Sequence, residues 1–278
     1  MNDHPIPLED TFGDIVRKCM QGLRLDAASM AQAAGIDRAR VVGWTQHDEP
    51  ASETDARAVA HVLKLDPGRL AESAAARWYP ALPHVRGVQR HSQAPHPSNG
   101  YIFFLEGAQR AALVDPAGIG KNLLRILREG AYNLQYILIT HKHADHCDAT
   151  ADVAAAFPDA QIVMHAADVA AIGGLASRAT LVRDGEELPF GEDAKIRMLH
   201  TPGHTDGSSA YVFRSTVFSG DTLFAGSVGG AYGDVSTYAD ILNNIRSKVF
   251  TLPDETAVMP GHGPPTTVAQ EKAHNPFF

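Results

Sequence analysis

Three histidines and an aspartate stand together in segment 140–146, directly after the apolar run 136–139. Such a run predicts a buried strand, and packing alone gives it no reason to end in ionisable side chains. Imidazole and carboxylate groups are ligands that divalent metal ions such as zinc prefer. In an extended loop His141 and His143 point the same way, so both can reach one ion, and Asp145 and His146 follow where they can reach a second ion.

Three more candidate ligands stand near the ends of later predicted strands. They are His204 after strand 196–200, Asp221 after strand 216–218 and His262 after strand 257–259. A glycine precedes each of them and permits a tight turn that aims the side chain inward. Ligands delivered from several strand ends to one sheet edge form a rigid site, so the sequence predicts one metal centre built from all seven residues.

Composition and charge limit the class of protein. The chain has 278 residues, 44% of them hydrophobic, and a formal net charge of −8, which argues against a broad nucleic-acid-binding face. No apolar run approaches the roughly 18 residues that span a bilayer, and no secretory signal is visible. The two cysteines, Cys19 and Cys147, lie far apart, so a disulfide framework is not expected. These features predict a cytoplasmic protein without a membrane segment.

The first eighty residues predict an all-α domain. Asp26, Asp37 and Asp66 are suited to begin helices, and Gly35 to end one. Segment 29–44 resembles the helix-turn-helix of lambda-repressor/Cro-type domains. That resemblance implies DNA binding or dimerisation, and a lid over an active site is a further hypothesis.

The charge of this domain disfavours DNA as its partner. Residues 1–80 contain 9 Lys and Arg against 12 Asp and Glu, a net charge of −3, whereas phosphate contacts need positive charge. The predicted recognition helix offers Arg38 and Arg40, with Thr45, Gln46 and His47 just beyond. We therefore expect a dimerisation or docking module, and a homodimer is compatible with it.

Residues 81–278 alternate between predicted strands and helices and form the predicted catalytic domain, of α/β class. Within it we expect a turn at Glu106-Gly107, one helix over about 147–157 and a hairpin turn at 183–186. The ligand pattern resembles the metallo-β-lactamase superfamily, whose fold is an αββα sandwich of two mixed sheets flanked by helices. The resemblance implies that His141, His143 and His204 bind one metal ion and that Asp145, His146 and His262 bind a second. Asp221 would bridge the two ions.

Three short motifs indicate which subgroup of the superfamily the chain resembles. Segments 201–205, 220–227 and 260–267 resemble the short bacterial members of the glyoxalase II group, which lack the C-terminal helical domain that holds glutathione. Antibiotic-degrading members often carry Cys where this chain has Asp221. Segment 229–231 is Gly-Gly-Ala, where relatives usually carry an Arg followed closely by Asp, so this wall is expected to be open and less charged.

The predicted function is a binuclear metallohydrolase that attacks a thioester or related ester carbonyl with a metal-bridging hydroxide. Two divalent ions lower the pKa of bound water toward about 7 and stabilise the oxyanion, while Asp145 and Asp221 take part in catalysis. Zinc is preferred, although iron and manganese also suit this set of N and O donors. The alternatives are a mononuclear iron persulfide dioxygenase, a lactonase, and a DNA-binding regulator whose metal site acts as a sensor.

Overall fold

The computed structural model describes residues 6–92, 98–105, 110–118 and 120–278. Its amino-terminal part is a group of five helices. They are α1 (Phe12–Gly22), α2 (Ala27–Ala34), α3 (Arg38–His47), α4 (Glu53–Leu63) and α5 (Pro67–Ala74). Each begins after a polar residue whose side chain accepts a hydrogen bond from a first-turn amide, as predicted for Asp26, Asp37 and Asp66. Gly35 ends α2 in the left-handed conformation, with φ of 67°.

Two six-stranded sheets follow. The first contains, in spatial order, β1 (Val88–Ser92), β2 (Asn99–Phe104), β3 (Arg110–Val114), β4 (Asn133–Leu138), β5 (Gln161–Met164) and β6 (Thr180–Leu181). The second contains β7 (Glu187–Pro189), β8 (Lys195–His200), β9 (Ser209–Phe213), β10 (Thr216–Gly220), β13 (Ala257–Pro260) and β14 (Thr266–Thr267), in the order β14-β13-β10-β9-β8-β7. A small hairpin joins β11 (Leu223–Phe224) and β12 (Ser227–Val228). Both large sheets mix parallel and antiparallel pairs, which confirms the predicted mixed α/β sandwich.

Helices and three apolar cores complete the architecture. The helices are α6 (Gly120–Glu129), α7 (Ala144–Cys147), α8 (Thr150–Ala156), α9 (Tyr238–Asn244, continued by a π turn over Ile245–Val249) and α10 (Val268–His274), with a 3₁₀ segment over Ala166–Arg178 that is interrupted at Gly173. Phe103, Phe190 and Phe218 pack between the sheets. Leu123 and Val153 belong to a second core that joins α6 and α8 to the first sheet.

The amino-terminal helices share the third core with the remainder of the chain. Residues such as Val16 and Met30 belong to the same apolar cluster as Val217 and Ile241. A hydrogen bond also joins the helices to the carboxyl-terminal part of the chain, since Asp66 N donates to the Pro276 carbonyl at 2.8 Å. Because the core is continuous, the division into domains 1–80 and 81–278 stays a prediction.

The structure corrects two details of the sequence prediction. A single helix was expected over 147–157, but α7 and α8 are separate, and α7 carries Asp145 and His146, so these side chains project from a helical turn. The turn at 183–186 exists, with Glu186 N donating to the Arg183 carbonyl, yet it joins strands of different sheets and forms no hairpin. The turn predicted at Glu106-Gly107 lies outside the described residues. Within the described part of the chain, none of the helices has the length and apolar character needed to cross a membrane.

Candidate metal centre

All seven predicted ligands converge at one edge of the sandwich. They form two groups, His141, His143, His204 and Asp221 in the first and Asp145, His146 and His262 in the second. The potential ligand atoms of each group lie within 4.8 Å of one another. Five of these side chains come from loops that follow strands, as predicted, whereas Asp145 and His146 come from α7.

The local backbone geometry directs these side chains toward the site. His141 and His143 follow β4, and Asp221 directly follows β10, whose last residue, Gly220, has φ of 49°. A Cβ atom at Gly220 would lie 2.5 Å from Thr140 Oγ1, so the two ligand-bearing loops approach too closely for any side chain there. The glycine before Asp221 is therefore required by both conformation and space.

Imidazole nitrogens within each group face one another. In the first group His143 Nδ1 lies 3.1 Å from His141 Nε2 and 2.9 Å from His204 Nε2. In the second group His262 Nε2 lies 3.2 Å from His146 Nε2 and 3.3 Å from Asp145 Oδ2. Convergent lone-pair donors at these distances can share an ion at the coordination distances of about 2.0–2.2 Å typical of zinc.

Asp221 stands between the two groups. Its Oδ2 lies 3.5 Å from both His204 Nε2 and His262 Nε2, and its Oδ1 lies 3.4 Å from His146 Nε2. Oδ1 is buried and accepts no hydrogen bond from the described residues, which is costly for a carboxylate unless a cation compensates it. A Cβ atom at Gly261 would lie 2.1 Å from this oxygen, so that glycine keeps the space around it open. The cluster is thus consistent with a binuclear metal site.

Three of the candidate histidine ligands also contact an outer partner, a feature that fixes metal-ligating histidines in place. His146 Nδ1 lies 2.9 Å from Asp115 Oδ2, His141 Nδ1 lies 2.9 Å from Thr140 Oγ1, and His204 Nδ1 donates to the Gly230 carbonyl at 2.7 Å. Asp115 also accepts hydrogen bonds from the amide and hydroxyl of Thr140.

A second buried aspartate, Asp168, connects two ligand-bearing loops through hydrogen bonds. It accepts hydrogen bonds from Lys142 N in the first loop and from Thr205 Oγ1 and Gly207 N in the second. Asp115 and Asp168 are not among the seven residues that the sequence predicts. For Asp115 a signal existed, since it directly follows an apolar strand, as several ligands do; for Asp168 we find none.

The local electrostatics favour neutral imidazoles in the first group. Burial lowers the pKa of His141 well below its usual value and the pKa of His204 to about 4. Burial alone would raise the pKa of Asp221, but His146 and His262 lower it well below the usual range. Neutral imidazoles and an ionised carboxylate are the protonation states that bind metal ions.

In the second group, neighbouring carboxylates have the larger effect on the histidine pKa. Burial opposes protonation of His262, yet Asp221 and Asp145 raise its pKa to about 11. This excess of negative charge around a histidine pair is the field that a divalent cation would neutralise.

A cavity of about 230 Å³ opens onto the centre. One side is formed by His204, Asp221, His262 and Tyr232. The opposite side comes from the amino-terminal part of the chain, which contributes Glu9, Asp10, Asp14, Arg17 and Lys18. The helical part therefore forms a wall of the candidate site.

Three further residues that carry reactive side chains, Cys147, His165 and His200, lie outside the ligand groups. Cys147 is buried and directly follows His146. The rings of His165 and His200 stack on each other, with centroids 3.8 Å apart. Neither histidine belongs to the two ligand groups found among the described residues.

Four of the five candidate polar residues on the predicted recognition helix, α3, are exposed, namely Arg38, Arg40, Gln46 and His47. Arg40 pairs with Asp55 and lies over the Trp44 ring. Thr45, expected to be an accessible polar residue, is instead buried, and its hydroxyl donates to the Val41 carbonyl at 2.8 Å. DNA binding stays a prediction that the chain's negative charge disfavours.

Comparison with known proteins gives the family of the chain. The Metallo-beta-lactamase superfamily profile matches residues 96–262. A probable metallo-hydrolase of Streptococcus pyogenes is 29% identical over 72% of this chain and 93% of its own length. The hydroxyacylglutathione hydrolase GloC of Haemophilus influenzae is 30% identical over 61% of this chain and 88% of its own length. The solved structure of TTHA1623 in a di-iron-bound form is 31% identical and covers 68% of this chain and all of that one, with a TM-score of 0.58. The chain belongs to the metallo-beta-lactamase superfamily.

Proposed function

We propose that the chain is a binuclear metallohydrolase that cleaves a thioester or a related carboxylic ester. One observation carries the proposal: a single buried carboxylate, Asp221, faces both ligand groups at 3.4–3.5 Å. The first ion would be held by His141, His143 and His204, the second by Asp145, His146 and His262, and Asp221 would contact both. When bound, such ions activate water at neutral pH and polarise a carbonyl oxygen.

The protein's own groups then position the reactants. Asp145 is the more accessible of the two carboxylates, with 26% of its side chain exposed, so it is placed to orient a water molecule at the edge of the site. Asp221, with 9% of its side chain exposed, holds the two ligand groups together. Tyr232 lines the cavity, and its ring centre lies 5.5 Å from that of His204, where its hydroxyl can contact a bound acyl group.

A thiolate nucleophile is not a competing mechanism. Both cysteines are buried, and burial raises the pKa of Cys19 and of Cys147 to about 12. A thiol with such a pKa stays protonated and unreactive at neutral pH. Hydrolysis by activated water therefore suits the site better than a covalent intermediate on sulfur.

Two further observations support the thioester class. The cavity of about 230 Å³ is smaller than the roughly 300–1,000 Å³ of pockets that enclose a whole drug-sized ligand, so it suits a short acyl group whose thiol carrier extends outside. The similarity to GloC, a hydroxyacylglutathione hydrolase, makes a hydroxyacyl thioester of glutathione the first substrate to test.

The test combines metal analysis with a substrate panel. Protein purified without a tag would be loaded in parallel with Zn, Fe or Mn, and bound metal counted per chain. Thiol release from acyl thioesters, ring opening of lactones and oxygen consumption with glutathione persulfide would follow, with Asp221→Ala as the inactive control. Two ions per chain with thioester cleavage support the proposal.

Other outcomes distinguish the alternatives. One iron per chain with oxygen consumption would replace the proposal by a persulfide dioxygenase. Ring opening without thioester cleavage would replace it by a lactonase. Failure to bind metal would overturn the hydrolytic mechanism itself.

A further inference from the structure

The amino-terminal segment before α1 lies against the second ligand group. Glu9 Oε2 is 3.7 Å from His262 Nδ1, the ring nitrogen that faces away from the other ligands. The opposite nitrogen, Nε2, faces His146, Asp145 and Asp221 at 3.2–3.5 Å. Glu9 thus faces the Nδ1 side of His262, as Asp115 faces the Nδ1 side of His146, but at 3.7 Å compared with 2.9 Å.

The other candidate histidine ligands show what the contact between Glu9 and His262 provides. His141, His146 and His204 each have an outer partner at 2.7–2.9 Å, and all three partners, Thr140, Asp115 and Gly230, come from the part of the chain that matches the superfamily. For His262 the group facing Nδ1 comes from residue 9, which lies outside the matched residues 96–262.

The backbone around Glu9 is held in place. A Cβ atom at Gly263, where φ is 73°, would lie 3.1 Å from Glu9 N, so the segment packs directly on the loop that carries His262. Asp10 accepts a hydrogen bond from Ser227 Oγ and pairs with Lys18, and Lys18 Nζ also donates to the Val228 carbonyl at 3.0 Å. Two anchors to β12 therefore fix the residue that follows Glu9.

We propose that Glu9 is a positioning residue of the metal centre, which orients His262 through Nδ1 and thereby strengthens binding of the second ion. The inference rests on the proposed metal centre and extends it, because it makes the amino-terminal helical part a structural component of that centre. Outer partners of ligating histidines typically change metal affinity by about 10–100-fold.

The test compares two isosteric substitutions in the full-length protein. Glu9→Gln removes the charge that faces His262. Glu72→Gln is the matched control, because Glu72 Oε2 contacts His274 Nδ1 at 3.5 Å in a similar glutamate–histidine pair that does not line the metal-site cavity. Zinc per chain would be measured after equilibration with graded chelator, and thermal unfolding would confirm that both variants are folded.

We expect Glu9→Gln to lose one ion of two at about tenfold lower chelator concentration than wild type, and Glu72→Gln to match wild type. A Glu9→Gln protein that retains both ions like wild type would overturn the inference. Should Glu9→Gln fail to fold, Glu9→Asp, which keeps the charge but shortens its reach, would take its place with the same expectation of a weaker second site. Wild-type protein that binds fewer than two ions would instead count against the proposed function, so the two failures are distinguishable.

Discussion

Asp115 Oδ2 lies 2.9 Å from His146 Nδ1, and the same carboxylate accepts two hydrogen bonds from Thr140, the neighbour of His141. One buried aspartate at the end of β3 therefore braces a ligand from each of the two groups. Among the described residues its carboxylate acts as the acceptor in each of these contacts, and the residue is 1% exposed.

We expect Asp115→Asn to lower metal affinity by about 10–100-fold, because an amide nitrogen in place of one oxygen would face a donor and release either His146 or Thr140. Metal content after dialysis and hydrolytic rate would both fall. Asp159→Asn, at an exposed aspartate in the turn before β5, is the control and should change neither. Full metal retention by Asp115→Asn would show that the ligands do not need this brace.

Loss of the shared carboxylate should differ from loss of a single ligand. We expect Asp221→Ala to abolish binding of both ions, since Asp221 contacts both ligand groups, and His262→Ala to abolish binding of the second ion alone. Direct counting of metal per chain tests this difference. Equal stoichiometry in the two variants would contradict the bridging position of Asp221.

The raised pKa of Glu271 predicts that the stability of the protein depends on pH through a group outside the metal centre. This fully buried residue accepts hydrogen bonds from Gly226 N, Thr266 Oγ1 and Asn275 Nδ2, and burial raises its pKa from 4.5 to about 7. A raised folded-state pKa means that its contribution to the free energy of unfolding is complete below pH 4.5 and is lost as pH rises through about 7.

The measurement is the unfolding midpoint of wild type and Glu271→Gln across pH 4.5–7.5. A glutamine can keep its oxygen toward Gly226 and Asn275 and its amide toward the Thr266 hydroxyl, so it imitates the protonated acid. We expect the variant to lose less stability than wild type over this interval. Identical slopes for the two proteins would show that Glu271 does not titrate there.

The sequence predicted the sandwich and all seven converging side chains because the relevant signals are local. Segment 140–146 places four of the residues within seven positions, and the other three each follow an apolar strand and a glycine. The helix caps Asp26, Asp37 and Asp66 were likewise predicted from their immediate neighbours.

The supporting contacts were not predictable, because they join residues distant in sequence. Asp115 meets His146 across 31 positions, and Glu9 meets His262 across almost the whole chain. The position of Asp115 after an apolar strand marks it as a candidate, but nothing in a chain with 32 acidic residues shows that His146 is its partner or that Glu9 has one. The shared core was missed for the same reason, since helical periodicity shows that α1 has an apolar face and does not show what covers it.

Gly22, the last residue of α1, provides a direct test of that shared core. A Cβ atom there would lie 2.4–2.8 Å from three atoms of Tyr238 at the start of α9, a buried residue whose hydroxyl lies 3.4 Å from Cys19 Sγ. Gly22→Ala must therefore move α1 away from α9, and we expect a loss of about 1–3 kcal/mol in the free energy of unfolding. Gly174→Ala is the matched control, because a Cβ atom there has no neighbour within 4 Å.

The same experiment asks whether the two parts of the chain unfold together. Trp44 lies in α3 and Trp78 stacks on His274 of α10, so fluorescence follows the helical part and its junction with the sandwich, while far-ultraviolet circular dichroism follows the whole chain. Because one apolar cluster spans both parts, we expect the two signals to coincide in wild type and to shift together in Gly22→Ala. A shift confined to fluorescence would mean that the helices unfold independently and that the wall they form at the metal centre can open without loss of the sandwich.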